Sequence, residues 1–288
     1  MIGHTIRGMV LAAALLQFAQ PAWSEERPLP KSKGRYVVIL PKDYDAKKRY
    51  ELMVPLHGMG DTPENFAAFW QQALGERPTL LAVPAPGNGN WGSADVERIA
   101  ETVEDAVKTY SIDPRRVYLS GFSAGCAMGF YVLCKKPGLF TGYGGLGMAL
   151  QRGLGSEQEL GANAAACAIY YAVGKRDPNH RVFQPTVDML NRLRFNVKAE
   201  DPDVGHTITP GMCKNMLEFF HAAAEKACAS KVSEAKKLLA EKKGPAARKL
   251  LAELAAGYGA TADEAGKLLK DLDEKEMVGQ PTLKDLAK

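Results

Sequence analysis

The stretch Val117-Tyr118-Leu119-Ser120-Gly121-Phe122-Ser123-Ala124-Gly125 decides how this chain is to be read. A β-branched and aromatic run leads into a G-x-S-x-G, and the residues that follow, Cys126 to Lys135, favour a helix. A glycine two residues before the serine and another two after it allow a very tight strand-to-helix turn. The central serine of such a turn is held in a strained backbone conformation, its hydroxyl above the sheet edge. The N–H groups that open the helix face the same point. The bare pattern arises often by chance, and a serine in an ordinary glycine-rich turn is the plain alternative. The strand before it and the helix after it are what give it meaning.

Working outward, Arg35 to Leu40, Tyr50 to Leu56, Thr79 to Val83, Tyr143 to Met148, Ala168 to Val173 and Phe195 to Ala199 read as strands beside Val117 to Ser120. Helical stretches lie between them: Pro63 to Leu74, Asp95 to Tyr110, His180 to Arg194 and Pro210 to Cys228. In the second of these, Val96, Ile99, Val103 and Val107 fall at helical spacing and are expected to be buried. Strands alternating with helices predict an α/β fold with a doubly wound, mostly parallel sheet. From Ser230 the composition shifts to Lys, Ala, Glu and Leu, and Ala235 to Glu241, Pro245 to Ala256 and Thr261 to Leu272 read as amphipathic helices. The expected organisation is a catalytic domain over 25–229 and an all-α helical tail over 230–288. That tail is either a tetratricopeptide-like hairpin or a packing appendage, with a Leu stripe that the domain or a partner must cover.

Residues 1–24 read as a signal peptide. Arg7 supplies the positive region, Met9 to Ala19 the apolar run, and Ala22-Trp23-Ser24 the small residues before a cut ahead of Glu25. That run is about half of the ~20 residues needed to span a bilayer, so export rather than a retained membrane span is expected. The net charge is +4, or +3 once Arg7 leaves with the leader. So balanced a surface argues against a nucleic-acid role, which needs a basic stripe. The five cysteines, Cys126, Cys134, Cys167, Cys213 and Cys228, are odd in number, so at least one is free or pairs between chains. Cys126 and Cys134 lie about 12 Å apart along one helix, too far to bridge. No C-x-x-C occurs and histidines are few, so no metal site is expected.

A seryl hydroxyl is a weak nucleophile unless an imidazole takes its proton, and the imidazole needs a carboxylate to fix its tautomer. After a serine turn of this kind the partners follow in the order acid, then base. Asp177, in Gly174-Lys-Arg-Asp177-Pro178, stands just past a strand, where ligands gather in open α/β sheets. His206, in Val204-Gly205-His206-Thr207, follows the last strand. His180 lies close to Asp177 and precedes a helix, His221 sits mid-helix among alanines, and Asp201 and Asp203 are alternative acids beside His206. At the end of an earlier strand, Pro55-Leu56-His57-Gly58-Met59-Gly60-Asp61 is a turn able to point a backbone N–H into the site. Met59 N–H and Ala124 N–H are the expected oxyanion donors. Trp70 and Trp91 are candidates to line a substrate pocket, Trp91 being the one assigned to it, and equally readable as packed aromatics.

His57-Gly-Met-Gly-Asp61-Thr, Gly121-Phe-Ser-Ala-Gly125, Gly174-x-x-Asp177 and Gly205-His206, in that order, resemble the phospholipase/carboxylesterase branch of the α/β-hydrolase superfamily. Asp113-Pro-Arg-Arg-Val-Tyr-Leu-Ser-Gly121 is also similar to secreted polyhydroxybutyrate-depolymerase-like and feruloyl-esterase-like esterases. The resemblance covers roughly residues 35–228. It implies a serine hydrolase that cleaves carboxylic esters, monomeric or polymer-derived, through an acyl-enzyme and without a cofactor. Ala124 stands where the carboxylesterases often carry Gln, and Cys126 where they usually carry Gly. Two readings stay open beside it: a peptidase or thioesterase using the same residues, and an inactive hydrolase fold that binds partners or self-associates through its tail.

Overall fold

The computed structural model describes residues 24–279, with side chains through Glu274. Of the expected leader only Ser24 falls among the described residues; the rest of it lies outside them, as do the last residues of the tail. Eight strands form one sheet: β1 (Ser24–Leu29), β2 (Gly34–Ile39), β3 (Tyr50–Leu56), β4 (Thr79–Pro84), β5 (Ile112–Phe122), β6 (Gly142–Leu146), β7 (Ala168–Ala172) and β8 (Asn196–Glu200). Their spatial order is β1-β2-β4-β3-β5-β6-β7-β8. From β4 to β8 every neighbouring pair is parallel, while β1 and β2 add an antiparallel margin. β1 was not expected: Ser24-Glu-Glu-Arg-Pro-Leu29 is polar because its margin position leaves one edge unpaired, and only Leu29 is fully buried.

Eight helices among the described residues accompany the sheet, α1 (Pro63–Leu74), α2 (Asp95–Thr109), α3 (Ala124–Lys135), the short α4 (Glu157–Gly161), α5 (Phe183–Arg192), α6 (Pro210–Ala240), α7 (Gly244–Ala255) and α8 (Ala260–Gly279), of which α2, α3 and α5 pack on one face of the sheet and α1 and α6 on the other. Alternation along each strand divides the core. Leu52, Val54 and Leu56 of β3 pack with α2, α3 and α5 on one face. Met53 joins Phe66 and Trp70 of α1 and Met212, Met216 and Phe220 of α6 on the other. In α2, Val96, Ile99 and Val103 are buried, but Val107 is 37% exposed, against expectation. The helical repeat carries the buried stripe to Ala106 instead. Where one helix was expected over 180–194, a 3₁₀ turn, His180–Val182, precedes α5.

Helix α6 runs unbroken through the composition change at Ser230, so the expected helices Pro210 to Cys228 and Ala235 to Glu241 are one. No Gly or Pro interrupts the segment between, and Cys228, Val232 and Ala235 continue the apolar spacing. Those three residues, with Leu251 and Leu254 of α7 and Ala265 of α8, form a separate small core. The hairpin α7–α8 thus covers its Leu stripe against the far half of α6.

Its turn, Gly257-Tyr258-Gly259, docks on the start of β5 through charge. Arg116, fully buried, donates from Nη1 to Glu51 Oε1 (3.2 Å) and from Nη2 to Glu225, and lies 5.2 Å from the centre of the Tyr258 ring. Asp113, also fully buried, accepts from Arg115 Nε (2.9 Å) and from Tyr258 N–H (3.0 Å). Glu225 accepts from Thr261 N–H (3.1 Å). His221, on the same face of α6, places Nδ1 3.0 Å from Glu51 Oε1. Burial alone would raise both carboxyls, but hydrogen bonds from Arg115 and Tyr258 hold Asp113 below its ordinary value, and Thr261 and Arg116 do the same for Glu225. A lowered folded-state pKa means stability that is present at neutral pH and lost on acidification. The loss begins near the ordinary values of 4.5 and 3.8 and is complete once pH passes below the folded ones. Exposure of α7–α8 to proteolysis should therefore increase below about pH 4 before the sheet unfolds. Removing the cation by Arg116→Met should destabilise the fold by about 3–5 kcal/mol, read from denaturant unfolding, because it leaves buried carboxylates uncompensated.

All five cysteines are free and buried. Burial pushes the thiols of Cys126 and Cys167 up to about 12 and that of Cys134 up to about 11. The native protein should consequently react negligibly with a thiol reagent at pH 8, and all five should titrate once it is unfolded. No helix among the described residues is long and apolar enough to cross a membrane.

Candidate active site

Strand β5 ends and α3 begins within one residue, and that residue is Ser123, whose φ of 54° and ψ of −115° lie where non-glycine residues are rarely found. The turn closes because two residues lack side chains. A Cβ on Gly121 would strike the carbonyl of Gly125 and come within 2.7 Å of Cys126 N, and one on Gly125 would strike Leu56 O and come within 2.6 Å of His57 O. Ser123 N–H donates to Leu146 O (2.9 Å), which ties the turn to the end of β6. The hydroxyl is left at the carboxyl edge of the sheet, the edge where the β7 and β8 loops also end.

Those loops bring Asp177 and His206 to Ser123. Ser123 Oγ–H donates to His206 Nε2 (2.9 Å), and His206 Nδ1–H donates to Asp177 Oδ2 (2.7 Å). A carboxylate can only accept, so Asp177 fixes the proton on Nδ1 and leaves Nε2 free to accept from the serine. Asp177 is 5% exposed. Its second oxygen accepts from Asn179 N–H (2.7 Å), and Asn179 Nδ2 reaches Gly147 O (3.0 Å), locking the acid to the end of β6. The imidazole rests against Phe122, with ring centres 4.9 Å apart.

The rival residues are occupied elsewhere. Asp203 meets the exposed Arg176 (2.9 Å), and His180 Nε2 lies 3.5 Å from Asp201 Oδ2. His221 belongs to the charged junction described above. Asn179 and Phe122 went unnoticed in the sequence as parts of the site. Asp-Pro-Asn is an Asx-turn pattern in which an Asp side chain accepts from the N–H two residues on, and this is the sequence signal for Asn179.

Beside the serine, Ala124 N–H is the first of α3 and by position has no acceptor within the helix. Gly58 lies against Ser123: a side chain there would begin 3.6 Å from Ser123 Cβ and 3.3 Å from the Phe122 ring. Met59, next in the turn, is 76% exposed. Trp70 is fully buried in the core, whereas Trp91 is half-buried and spends its indole N–H on His57 O (2.8 Å). Among the described residues no group of three or more His, Cys, Asp or Glu is gathered so as to hold a metal ion. The arrangement joins the Ser123 hydroxyl to an imidazole of fixed tautomer beside the N-terminus of α3.

No protein-family model matches the chain. A bifunctional acetylxylan esterase/xylanase of Neocallimastix patriciarum is 32% identical over 81 residues, 26% of this chain and 12% of that protein. A probable feruloyl esterase C of Aspergillus terreus is 23% identical over 115 residues, 36% of this chain and 43% of that one. A poly(3-hydroxyalkanoate) depolymerase C of Paucimonas lemoignei is 31% identical over 107 residues, 32% and 26% of the two chains. The chain thus spans less than half the length of each of these relatives. Among solved structures, S-formylglutathione hydrolase from Staphylococcus aureus superposes with a TM-score of 0.54 at 14% identity, covering 70% of this chain and 95% of the other. A Rhizomucor miehei esterase gives 0.56 at 12% identity, covering 71% and 84%. Sheet order, serine turn and these neighbours together establish that the chain has the α/β-hydrolase fold.

Proposed function

We propose that this chain is a serine hydrolase that cleaves carboxylic esters. The observation that carries the proposal is the unbroken hydrogen-bonded line from Ser123 Oγ through His206 to the buried carboxylate of Asp177, at a serine held in a strained turn. In the reaction, Ser123 Oγ attacks the ester carbonyl while His206 Nε2 takes its proton, and Asp177 stabilises the imidazolium that forms. The tetrahedral oxygen is held by Ala124 N–H and Met59 N–H. His206 then protonates the departing alcohol. Water, deprotonated by the same nitrogen, releases the acid and restores the serine. The relatives named as acetylxylan and feruloyl esterases support an ester substrate over a peptide or thioester, and a paired base and acid argue against a dead scaffold.

Residues 230–288 are, in this proposal, a packing appendage of the catalytic unit over 25–229, supported by the docking of their α7–α8 turn on Asp113 and Arg116. Export with cleavage after Ser24 completes the reading, and it rests on the sequence of the leader alone.

The test is covalent labelling together with turnover. A fluorophosphonate should add once, on Ser123, and the label should vanish in Ser123→Ala; a label that persists there would refute the nucleophile. With a short-chain p-nitrophenyl ester, Asp177→Asn should lower kcat by about four powers of ten while circular dichroism stays native. A near-normal Asp177→Asn enzyme with an inactive Asp203→Asn would move the acid to Asp203.

A further inference from the structure

The turn that carries Met59 is braced from outside the catalytic line. His57 Nδ1 lies 2.8 Å from Gly58 O, and since a carbonyl can only accept, Nδ1 carries the proton. Gly58 O also accepts from Asp61 N–H (3.4 Å). This carbonyl belongs to the same peptide group as Met59 N–H, and the chain has no cis peptide bond among its described residues. In a planar trans peptide the C=O and N–H point in opposite directions, so whatever holds Gly58 O sets the direction of Met59 N–H.

What holds His57 is Trp91. Its indole N–H donates to His57 O (2.8 Å), and its ring stands 5.1 Å from the imidazole. On its other side the His57 carbonyl meets Gly125, inside the serine turn. Trp91 is itself on a loop after β4, and that loop is laced by one buried carboxylate. Asp95, 3% exposed at the start of α2, accepts from Gly87 N–H (3.0 Å) and Gly92 N–H (2.7 Å), and pairs with Arg98. Asp95 thus pins the loop on both sides of Trp91, Trp91 pins His57, and His57 pins the peptide next to the nucleophile.

We infer that Trp91, held by Asp95, is a positioning residue that fixes the oxyanion-donating turn Gly58-Met59, and not a wall of the substrate pocket. The inference rests on the ester-hydrolase reading, because it assigns the turn a task only if an oxyanion forms beside it. A wall residue contributes to the bound substrate, whereas a brace contributes only when charge develops on the carbonyl oxygen, and the two separate in kinetics.

The experiment uses the full chain and two variants. Trp91→Phe keeps a ring against His57 and removes the N–H; Asp95→Asn leaves Trp91 intact and weakens the lacing of its loop. With a p-nitrophenyl ester, Trp91→Phe should lower kcat roughly 10- to 100-fold with KM within about twofold, a loss at or below that of a deleted oxyanion donor. A boronic acid that mimics the tetrahedral state should weaken by the same factor. Asp95→Asn should lose kcat in the same sense by a smaller factor. Amide hydrogen exchange at the segment containing Gly58, Met59 and Gly60 should quicken in both variants, a readout that needs no activity. A raised KM at unchanged kcat would make Trp91 a substrate-pocket residue and overturn the inference. Unchanged exchange at the turn would overturn it too, even if Trp91→Phe folds poorly, provided that Asp95→Asn gives the same result. Faster exchange in the variants of a protein whose wild type turns over no ester and takes no fluorophosphonate would instead sink the hydrolase reading, and with it the assigned task.

Discussion

The close crossing of three backbones, the end of β3, the end of β5 and the start of α3, is the constraint on which the rest of the site depends. Gly121 and Gly125 are the two points where they touch, and neither tolerates a Cβ. The crossing forces Ser123 to a positive φ, a cost of order 1–3 kcal/mol that only a well-buried surround can impose. That surround is present. Val117, Tyr118 and Leu119 of β5 are almost completely buried, as are Leu52, Met53 and Val54 beside them in β3. The strain is thus held by the most buried part of the sheet, and the loops that bring Asp177 and His206 need only reach a hydroxyl already fixed.

Strand β5 is anchored at its other end by charge instead of apolar packing. Asp113 and Arg116 are fully buried there and satisfied by Glu51, Glu225, Arg115 and the Tyr258 turn. Such a junction adds little stability over an apolar one but is costly to break, so it specifies where the tail sits more than how firmly. One strand therefore leads to Ser123 at one end and holds the tail at the other, with nine residues between Asp113 and Ser123.

Much of this was legible in the sequence, and the exceptions have physical reasons. The serine turn, the parallel strands and the order Ser123, Asp177, His206 could be read because each rests on local pattern: glycine placement, apolar runs, position after a strand. Strand β1 could not, because a margin strand with a polar edge has no alternating apolar signature. Composition changes at Ser230, but helix continuity follows the spacing of Cys228, Val232 and Ala235. The roles of Trp91 and His221 are set by partners 34 and 170 residues away, a distance over which one sequence carries no pairing information. Asn179 differs, because the Asx turn of Asp177-Pro-Asn179 is a local pattern that a sequence shows.

In the proposed reaction the strained serine is the residue that takes the acyl group. Acid-quenched peptide mapping of the wild-type protein during turnover of p-nitrophenyl acetate tests it most directly. An acetyl group is expected on the peptide containing Ser123, at a level that rises and falls with the substrate present. An acetyl group on another side chain, or steady turnover with no acylated peptide at any time of quench, would contradict it.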